Sequence, residues 1–453
     1  MRETAGVRAA EAASTTSVAI IGAGWSGLAA AVAATEAGHK VTVFEAARTL
    51  GGRARTVQAT LSDGNTIALD NGQHILIGAY TQTLRLMRKV GADVDAALLR
   101  MPLTMVFPDG MGLRFPKLPA PLDALIGIAT ARGWSWRDKL SLLRVAAGWQ
   151  RAKFECEATR TVSDLCAELT PRVRAEMIDP LCVSALNTAA DAASGQVFLR
   201  VLRDAMFGVS GGSNLLLPRV DLCALFPDAA ASWVAAHNGR IALGSRVQAI
   251  LPTAKGWRIV GDGGADGDGG GDGDGDSTFD HVVLACPPGE AARLVESSGV
   301  AQAAGWAEQA RALRFEAIAT IYLEGGHRLR EPMLALRSTA DAPAQFVFDR
   351  AQTGGPDGLW AMVVSASTTV RAVLEAQVVA QAREQLGCAD PRVVLSVVEK
   401  RATFACTPGL ARPSMSIAPG LDACGDYIEG PYPATLEGAV MSGLVAAAKM
   451  PSP

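Results

Sequence analysis

The sequence predicts an α/β chain of three parts: a parallel-stranded domain assembled from three separated segments, a mixed-sheet domain and a helical subdomain. Three observations predict it. Residues 18–45 read strand, glycine turn, helix, strand. Residues 420–443 read strand, Gly-Asp, turn, helix. Between 117 and 214 the apolar residues recur at helical spacing.

The first unit opens with a short apolar run at 18–21, one buried parallel strand in length. Gly22, Gly24 and Gly27 then form a G-x-G-x-x-G turn that holds Trp25 and Ser26. Gly22 permits the tight turn, Gly24 the approach of a pyrophosphate, and Gly27 close helix–strand packing. The Ala-rich helix at 28–37 directs free N–H groups and its positive dipole end at that turn. The next strand, 41–44, ends in Glu45 and Ala46, about 20 residues past the glycines, where a carboxylate can accept from ribose hydroxyls. Such an ordered set predicts a Rossmann-like dinucleotide site. Gly51, Gly52 and Arg53 follow as a second loop against the same pyrophosphate, with Arg53 giving charge-assisted hydrogen bonds.

A strand at 66–69 runs into Asp70-Asn-Gly-Gln-His74, where Gly72 allows close approach to a ring and His74 is a candidate active-site group. A helix is expected at 81–90 and two short strands within 101–115. From 117 the pattern turns helical. Leu122, Leu125, Ile126 and Ala129 share one face, and Trp136, Leu140, Leu143 and Ala147 recur beyond Gly133-Trp-Ser-Trp-Arg137, with Arg137, Lys139 and Arg151 off that stripe. Two readings stand: a peripheral membrane contact through 118–150, or an ordinary helical subdomain with a buried stripe.

The run at 261–277, nearly all Gly and Asp, is expected to be a disordered hairpin insert. Calcium β-rolls use such composition, but the nine-residue repeat with an apolar position is missing. Strands are expected at 318–323, 345–349, 359–365 and 393–401, with a helix at 370–386. Finally, Gly425 permits close approach of a ligand, Asp426 can accept its hydrogen bonds, and a helix starting near Thr435, with Leu436 and Ala439, aims its positive end at the same place.

Composition bounds the rest. A chain of 453 residues supports two or three domains. A net charge of −3 gives no electrostatic footprint for nucleic acid. The eight cysteines show no metal spacing, so no metal is expected, and they read as small buried hydrophobes of a reducing compartment. No stretch reads as a signal peptide or a span, so a cytoplasmic location is expected, with peripheral attachment to the inner face of the cytoplasmic membrane under the first of those two readings. The expected division is a disordered tail at 1–16; a nucleotide-binding domain from 17–100, 215–300 and 395–453; a substrate-binding sheet domain from 101–116 and 305–394; and the helical subdomain at 117–214.

The glycine turn together with Gly51-Gly-Arg53 resembles the entry of the phytoene desaturase and amine oxidase flavoprotein superfamily. Within it, Lys400-Arg-Ala-Thr-Phe404, Cys424-Gly-Asp-Tyr427 and Pro433-Ala-Thr-Leu-Glu-Gly-Ala-Val440 resemble the hydroxysqualene dehydroxylases, as do Asp70 to His74, Leu186-Asn-Thr188 and Pro218-Arg-Val-Asp-Leu222. The resemblance implies a two-dinucleotide-binding FAD fold in which the backbone of Val247 meets the adenine, Gly425 and Asp426 the ribityl chain, and the helix from Thr435 the flavin ring. It also implies an FAD enzyme that replaces an allylic hydroxyl of hydroxysqualene, a polyisoprenoid, by hydrogen, with a separate reductant for the flavin. The residue that protonates the leaving hydroxyl is a choice between His74 and Asp349. Rival readings are a polyisoprenoid desaturase, an amine oxidase with Cys406 as its flavin-linking residue, and a prenyl-chain escort of the GDP-dissociation-inhibitor type. The context of Cys406 does not match a flavin-linking site, and Glu45, Arg53 and Asp426 argue against the escort.

Overall fold

The computed structural model describes residues 16–261, 276–367 and 369–451. The expected tail and nearly all of the Gly/Asp insert lie outside them. The strands Gly256–Gly261 and Asp276–Phe279 that flank the insert pair antiparallel, Trp257 opposite Phe279, so it joins the arms of a hairpin.

The central sheet runs Arg240–Leu243, Lys40–Glu45, Ser17–Ile21, His281–Leu284, Leu421–Ala423, Ser416–Ala418. Its first five strands are parallel and the last is antiparallel. Strands from three distant segments thus lie side by side, and Ile21 sits between Phe44 and Leu284 in register. Their C-terminal ends share one edge, the place where open parallel sheets bind ligands. Two apolar helices lie on this sheet. Trp25–Glu36 packs against Leu436–Ala448, and a Cβ on Gly443 would collide with the Ser26 carbonyl oxygen. The second glycine motif is thereby held against the first.

The second sheet is five-stranded and antiparallel: Met333–Ala335, Phe346–Asp349, Trp360–Ser365, Phe315–Glu324, Arg392–Phe404. The last strand follows Phe315–Glu324 along its whole length, so the domain boundary expected at 394/395 moves past Phe404. The short strand Met333–Ala335 and the hairpin strand Thr56–Thr60, which pairs with Thr66–Asp70, have no expected counterpart.

Between Leu122 and Gly208 the chain is mostly helical. Helix Trp136–Arg151 starts with a capping box, Ser135 to Asp138, and Thr170 also donates to Asp138 at 2.6 Å. Its inner face is Leu142 and Val145, both buried, with Trp149 edge-on to Phe198 at 6.5 Å. The stripe, open to two readings in the sequence, faces outward: Trp136 is 68 % exposed and Leu140 54 %. The buried-stripe reading is overturned. Among the described residues, no helix is long and apolar enough to cross a membrane.

Candidate functional site

One cavity of about 970 Å³ runs from the sheet's C-terminal edge into a chamber between the antiparallel sheet and the helical subdomain. Gly22, Gly24, Trp25, Ser26, Glu45, Ala46, Gly51, Gly52, Arg53, Gly72, Val247, Gly425, Asp426, Thr435, Leu436 and Ala439 all line it, as does His74. The structure therefore brings nearly every residue expected at the cofactor to one surface. Gly27 does not line it. A Cβ there would land on the Gly22 carbonyl oxygen, so Gly27 acts by letting the helix seat on the turn.

The cradle is built from backbone. Gly22 sits at φ +117°, and a Cβ would lie 2.6 Å from the Ala285 oxygen. Gly24 forms a β-bridge with Gly51, closing the two glycine loops onto each other. A Cβ on Gly24 would meet nothing nearer than the Gly52 Cα at 3.9 Å, so the volume it would fill is the cavity itself. The helix beyond has no side-chain cap and no acid in its first turn, which leaves its amides to an anion. Glu45 accepts from Ala23 N–H at 2.7 Å and Ala47 N–H at 2.8 Å, fixing its carboxylate at the strand end. Tyr427 lines the same cavity with a buried hydroxyl that has no hydrogen-bond partner among the described residues. Open glycine cradle, uncapped amides and unpartnered hydroxyl fit the diphosphate and polyol of FAD.

Asp70 to His74 is tied from every side. Leu222 N–H donates to Asp70 Oδ1 at 2.9 Å, Tyr322 Oη to the Asp70 carbonyl at 2.9 Å, Gln73 N–H to Thr320 Oγ1 at 3.2 Å, and Arg350 to Gln73 Oε1 at 3.1 Å. Burial pushes the Asp70 carboxyl up to about 6, opposed by the Arg350 charge. His74 Nδ1 lies 2.8 Å from the Gly72 carbonyl, which can only accept, so Nδ1 carries the proton. Burial lowers the His74 pKa, the Gly72 hydrogen bond raises it, and the Arg53 charge adds a further lowering. His74 belongs to the site as a neutral imidazole offering Nε2 as an acceptor; it is not a resting acid.

Asp349 is a correction. Its carboxylate accepts from Leu329 N–H (3.0 Å), Ala351 N–H (3.2 Å) and Gln352 Nε2 (2.8 Å), caps the turn Arg350–Thr353, and lies off the cavity wall. Cys406 is buried away from the lining residues, and burial holds its thiol up to about 11, so it stays protonated rather than linking a flavin.

The chamber walls went unread in the sequence. Leu103, Phe198, Leu202, Ile318, Phe346 and Phe348 come from one helix, two strands and a loop, with no local motif. Tyr432, which donates to Asp204 Oδ2 at 2.8 Å, was also missed, although it stands within three residues of Thr435. Burial and the Asp204 carboxylate push its phenol up to about 12.

Fold and site together define a flavoprotein of the two-dinucleotide-binding class, an FAD-dependent oxidoreductase. Residues 25–451 match the flavin-containing amine oxidoreductases, and the chain belongs to that family. It is 26 % identical over 451 residues to a hydroxysqualene dehydroxylase of Rhodopseudomonas palustris, covering 94 % of this chain and 96 % of that one. A second hydroxysqualene dehydroxylase, from Zymomonas mobilis, is 27 % identical over 241 residues, 51 % of this chain and 54 % of its own. Among solved structures, an oxidoreductase from Methanosarcina mazei superposes with a TM-score of 0.71 at 18 % identity, covering 96 % of this chain and all of that one.

Proposed function

We propose that this chain is a reductive dehydroxylase of hydroxysqualene, replacing an allylic hydroxyl by hydrogen to give squalene. The observation that carries the reading is the continuity of the FAD cradle with an oily chamber walled by Phe198, Leu202, Ile318, Phe346 and Phe348. The similarity to two dehydroxylases, one along nearly the full length, supports the same substrate class. Bound and reduced, FAD supplies the hydride.

The chain's own residues supply the setting. Gly22, Gly24, Gly51 and Gly52 hold the diphosphate by backbone, and Glu45 holds the ribose. Apolar walls bind the isoprenoid and exclude water, which protects a cationic carbon from hydrolysis. His74 Nε2 accepts from the substrate hydroxyl and orients it. Tyr432, protonated throughout the working range, turns its O–H from Asp204 to that hydroxyl as it leaves. The flavin is reduced again by a separate reductant.

At about 0.8 kcal/mol per CH₂, a thirty-carbon polyisoprenoid costs on the order of 20 kcal/mol to place in water. Delivery therefore runs through a bilayer, with the membrane contact in residues 118–150, on the inner face of the cytoplasmic membrane. The test is anaerobic mixing of reduced holoprotein with hydroxysqualene. Reoxidation of the flavin with formation of squalene supports the reading. Bleaching of the oxidised protein by a polyisoprenoid such as phytoene would make it a desaturase instead.

A further inference from the structure

The outward face of two consecutive helices, Leu122–Thr130 and Trp136–Arg151, carries apolar side chains that nothing among the described residues covers. Leu118, Leu122, Leu125, Ile126, Trp136 and Leu140 are each 40–68 % exposed. Soluble surfaces scatter such side chains singly, and a cluster marks a contact.

The charges around it are of one sign. Residues 117–153 hold seven basic and two acidic side chains, a net of 7 − 2 = +5, in a chain whose total is −3. Both acids are buried. Asp138 accepts from Ser135 and Thr170, and Asp123 from Ala124 N–H. Every exposed charge in the stretch is therefore positive, including Lys117, Arg132, Arg137 and Arg144. Arg144 has one distant acidic neighbour, Glu168, at 3.8 Å. Arg137 lies 5.8 Å from the centroid of the Trp136 ring, so an aromatic and a cation stand at one level. Tryptophan and arginine together suit the headgroup depth of a membrane.

We propose that this face docks on an anionic bilayer, with Trp136, Leu140 and Leu125 entering the acyl boundary and Arg132, Arg137 and Arg144 meeting lipid phosphates. A second copy of the chain fits poorly: about a twofold axis Lys117, Arg132 and Arg137 would oppose their own copies, and the exposed acid beside this face, Glu168, already neighbours Arg144. A bilayer of negative headgroups satisfies both the apolar and the charged residues. The same helix reaches the chamber on its inner side, where Trp149 packs on the cavity-lining Phe198. The proposal rests on the polyisoprenoid reading for its purpose, but the surface stands without it.

The test is co-sedimentation of the holoprotein with phosphatidylglycerol–phosphatidylcholine vesicles and with phosphatidylcholine vesicles alone. Binding should be at least tenfold tighter to the anionic vesicles. It should weaken as salt rises from about 0.1 M to about 1 M, which shortens the Debye length from about 10 Å to about 3 Å. Trp136→Ser with Leu140→Ser should lower partition to both vesicles by tenfold or more. Arg137→Gln with Arg144→Gln should cost roughly tenfold on anionic vesicles only. Unchanged flavin absorbance establishes that the variants are folded. Equal binding to both vesicles, binding to neither, or variants that bind like the parent would overturn the proposal. So would a wild-type dimer in sedimentation velocity that Trp136→Ser with Leu140→Ser converts to monomer. Hydroxysqualene conversion in detergent micelles separates the two readings. Its absence beside normal vesicle binding removes the reaction and leaves the docking; the reverse result removes the docking alone.

Discussion

Arg53 donates to Asp426 across 2.5 Å, joining residues 373 positions apart. A second guanidinium N–H reaches the Ala402 carbonyl at 2.6 Å. Expected separately at the pyrophosphate and the ribityl chain, these side chains also hold each other, and so lock the first glycine loop to the second. Removing one partner strands the other in a half-buried wall, where an unpaired charge is costly. Arg53→Gln and Asp426→Asn should each weaken FAD binding by roughly ten- to a hundredfold, and the double variant by much less than the product. Flavin-fluorescence titration of the deflavinated protein measures all three, and multiplicative losses would show that the pair is not coupled.

Two glycines of the first turn predict opposite phenotypes. Gly27→Ala places its Cβ on the Gly22 carbonyl and should destabilise the fold by about 3 kcal/mol or more. Gly24→Ala finds open space and should leave the melting temperature of the deflavinated protein within a degree or two while weakening FAD binding at least tenfold. Thermal melts with and without FAD separate them; equal losses of apo stability would contradict the geometry.

The same contrast explains what was legible in the sequence. Backbone-built features announce themselves, because only glycine serves at Gly22 or Gly52, and spacing picked out most residues that line the cradle, Val247 resting on the resemblance instead. Periodicity located the Trp136–Arg151 helix but could not say which way its stripe faces, since a membrane face and a core face share one pattern. The chamber residues were illegible for a different reason. Phe198, Ile318 and Phe348 are ordinary apolar residues of helix and strand, and only packing between separate elements makes them a wall. No local motif stands behind Asp349 as the acid, and its three local donors could not be foreseen without the turn that presents them.

Asp70 predicts an acid-side signature. Its folded pKa, about 6, exceeds the ordinary 3.8, so the native state binds a proton more tightly than the unfolded state. Stability from this group is full below about pH 4 and is lost as pH rises through about 6. With roughly 1.4 kcal/mol per unit, the swing is on the order of 3 kcal/mol. Asp70→Asn, which keeps an acceptor for Leu222 N–H, should flatten that part of the pH–stability curve. Denaturant titrations at pH 4 and pH 7 give the comparison, and parallel curves for the two proteins would refute it.

The proton for the leaving hydroxyl decides between two residues of the chamber. His74 has committed its one proton to the Gly72 carbonyl, and burial and Arg53 outweigh that bond and disfavour a second. Tyr432 rests its proton on Asp204 Oδ2 at 2.8 Å, and its hydroxyl can rotate from that carboxylate to the leaving oxygen, which the His74 ring N–H cannot do. It keeps that proton, at a pKa of about 12. That makes it a weak acid toward an intact alcohol. As the carbon–oxygen bond stretches, however, the oxygen approaches hydroxide, a much stronger base than a phenolate. Transfer from Tyr432 then becomes downhill, late in the step and only to a departing group. The phenolate left beside Asp204 is tempered by Arg203, which pairs with that carboxylate at 2.7 Å. Tyr432→Phe should therefore slow flavin reoxidation by hydroxysqualene about a hundredfold in a single turnover, with little change in substrate affinity. His74→Gln, which can still accept at its amide oxygen, should slow it less than tenfold. No rate limb belonging to His74 should appear between pH 6 and 8. A hundredfold loss in His74→Gln, together with a nearly unaffected Tyr432→Phe, would return the acid to the histidine.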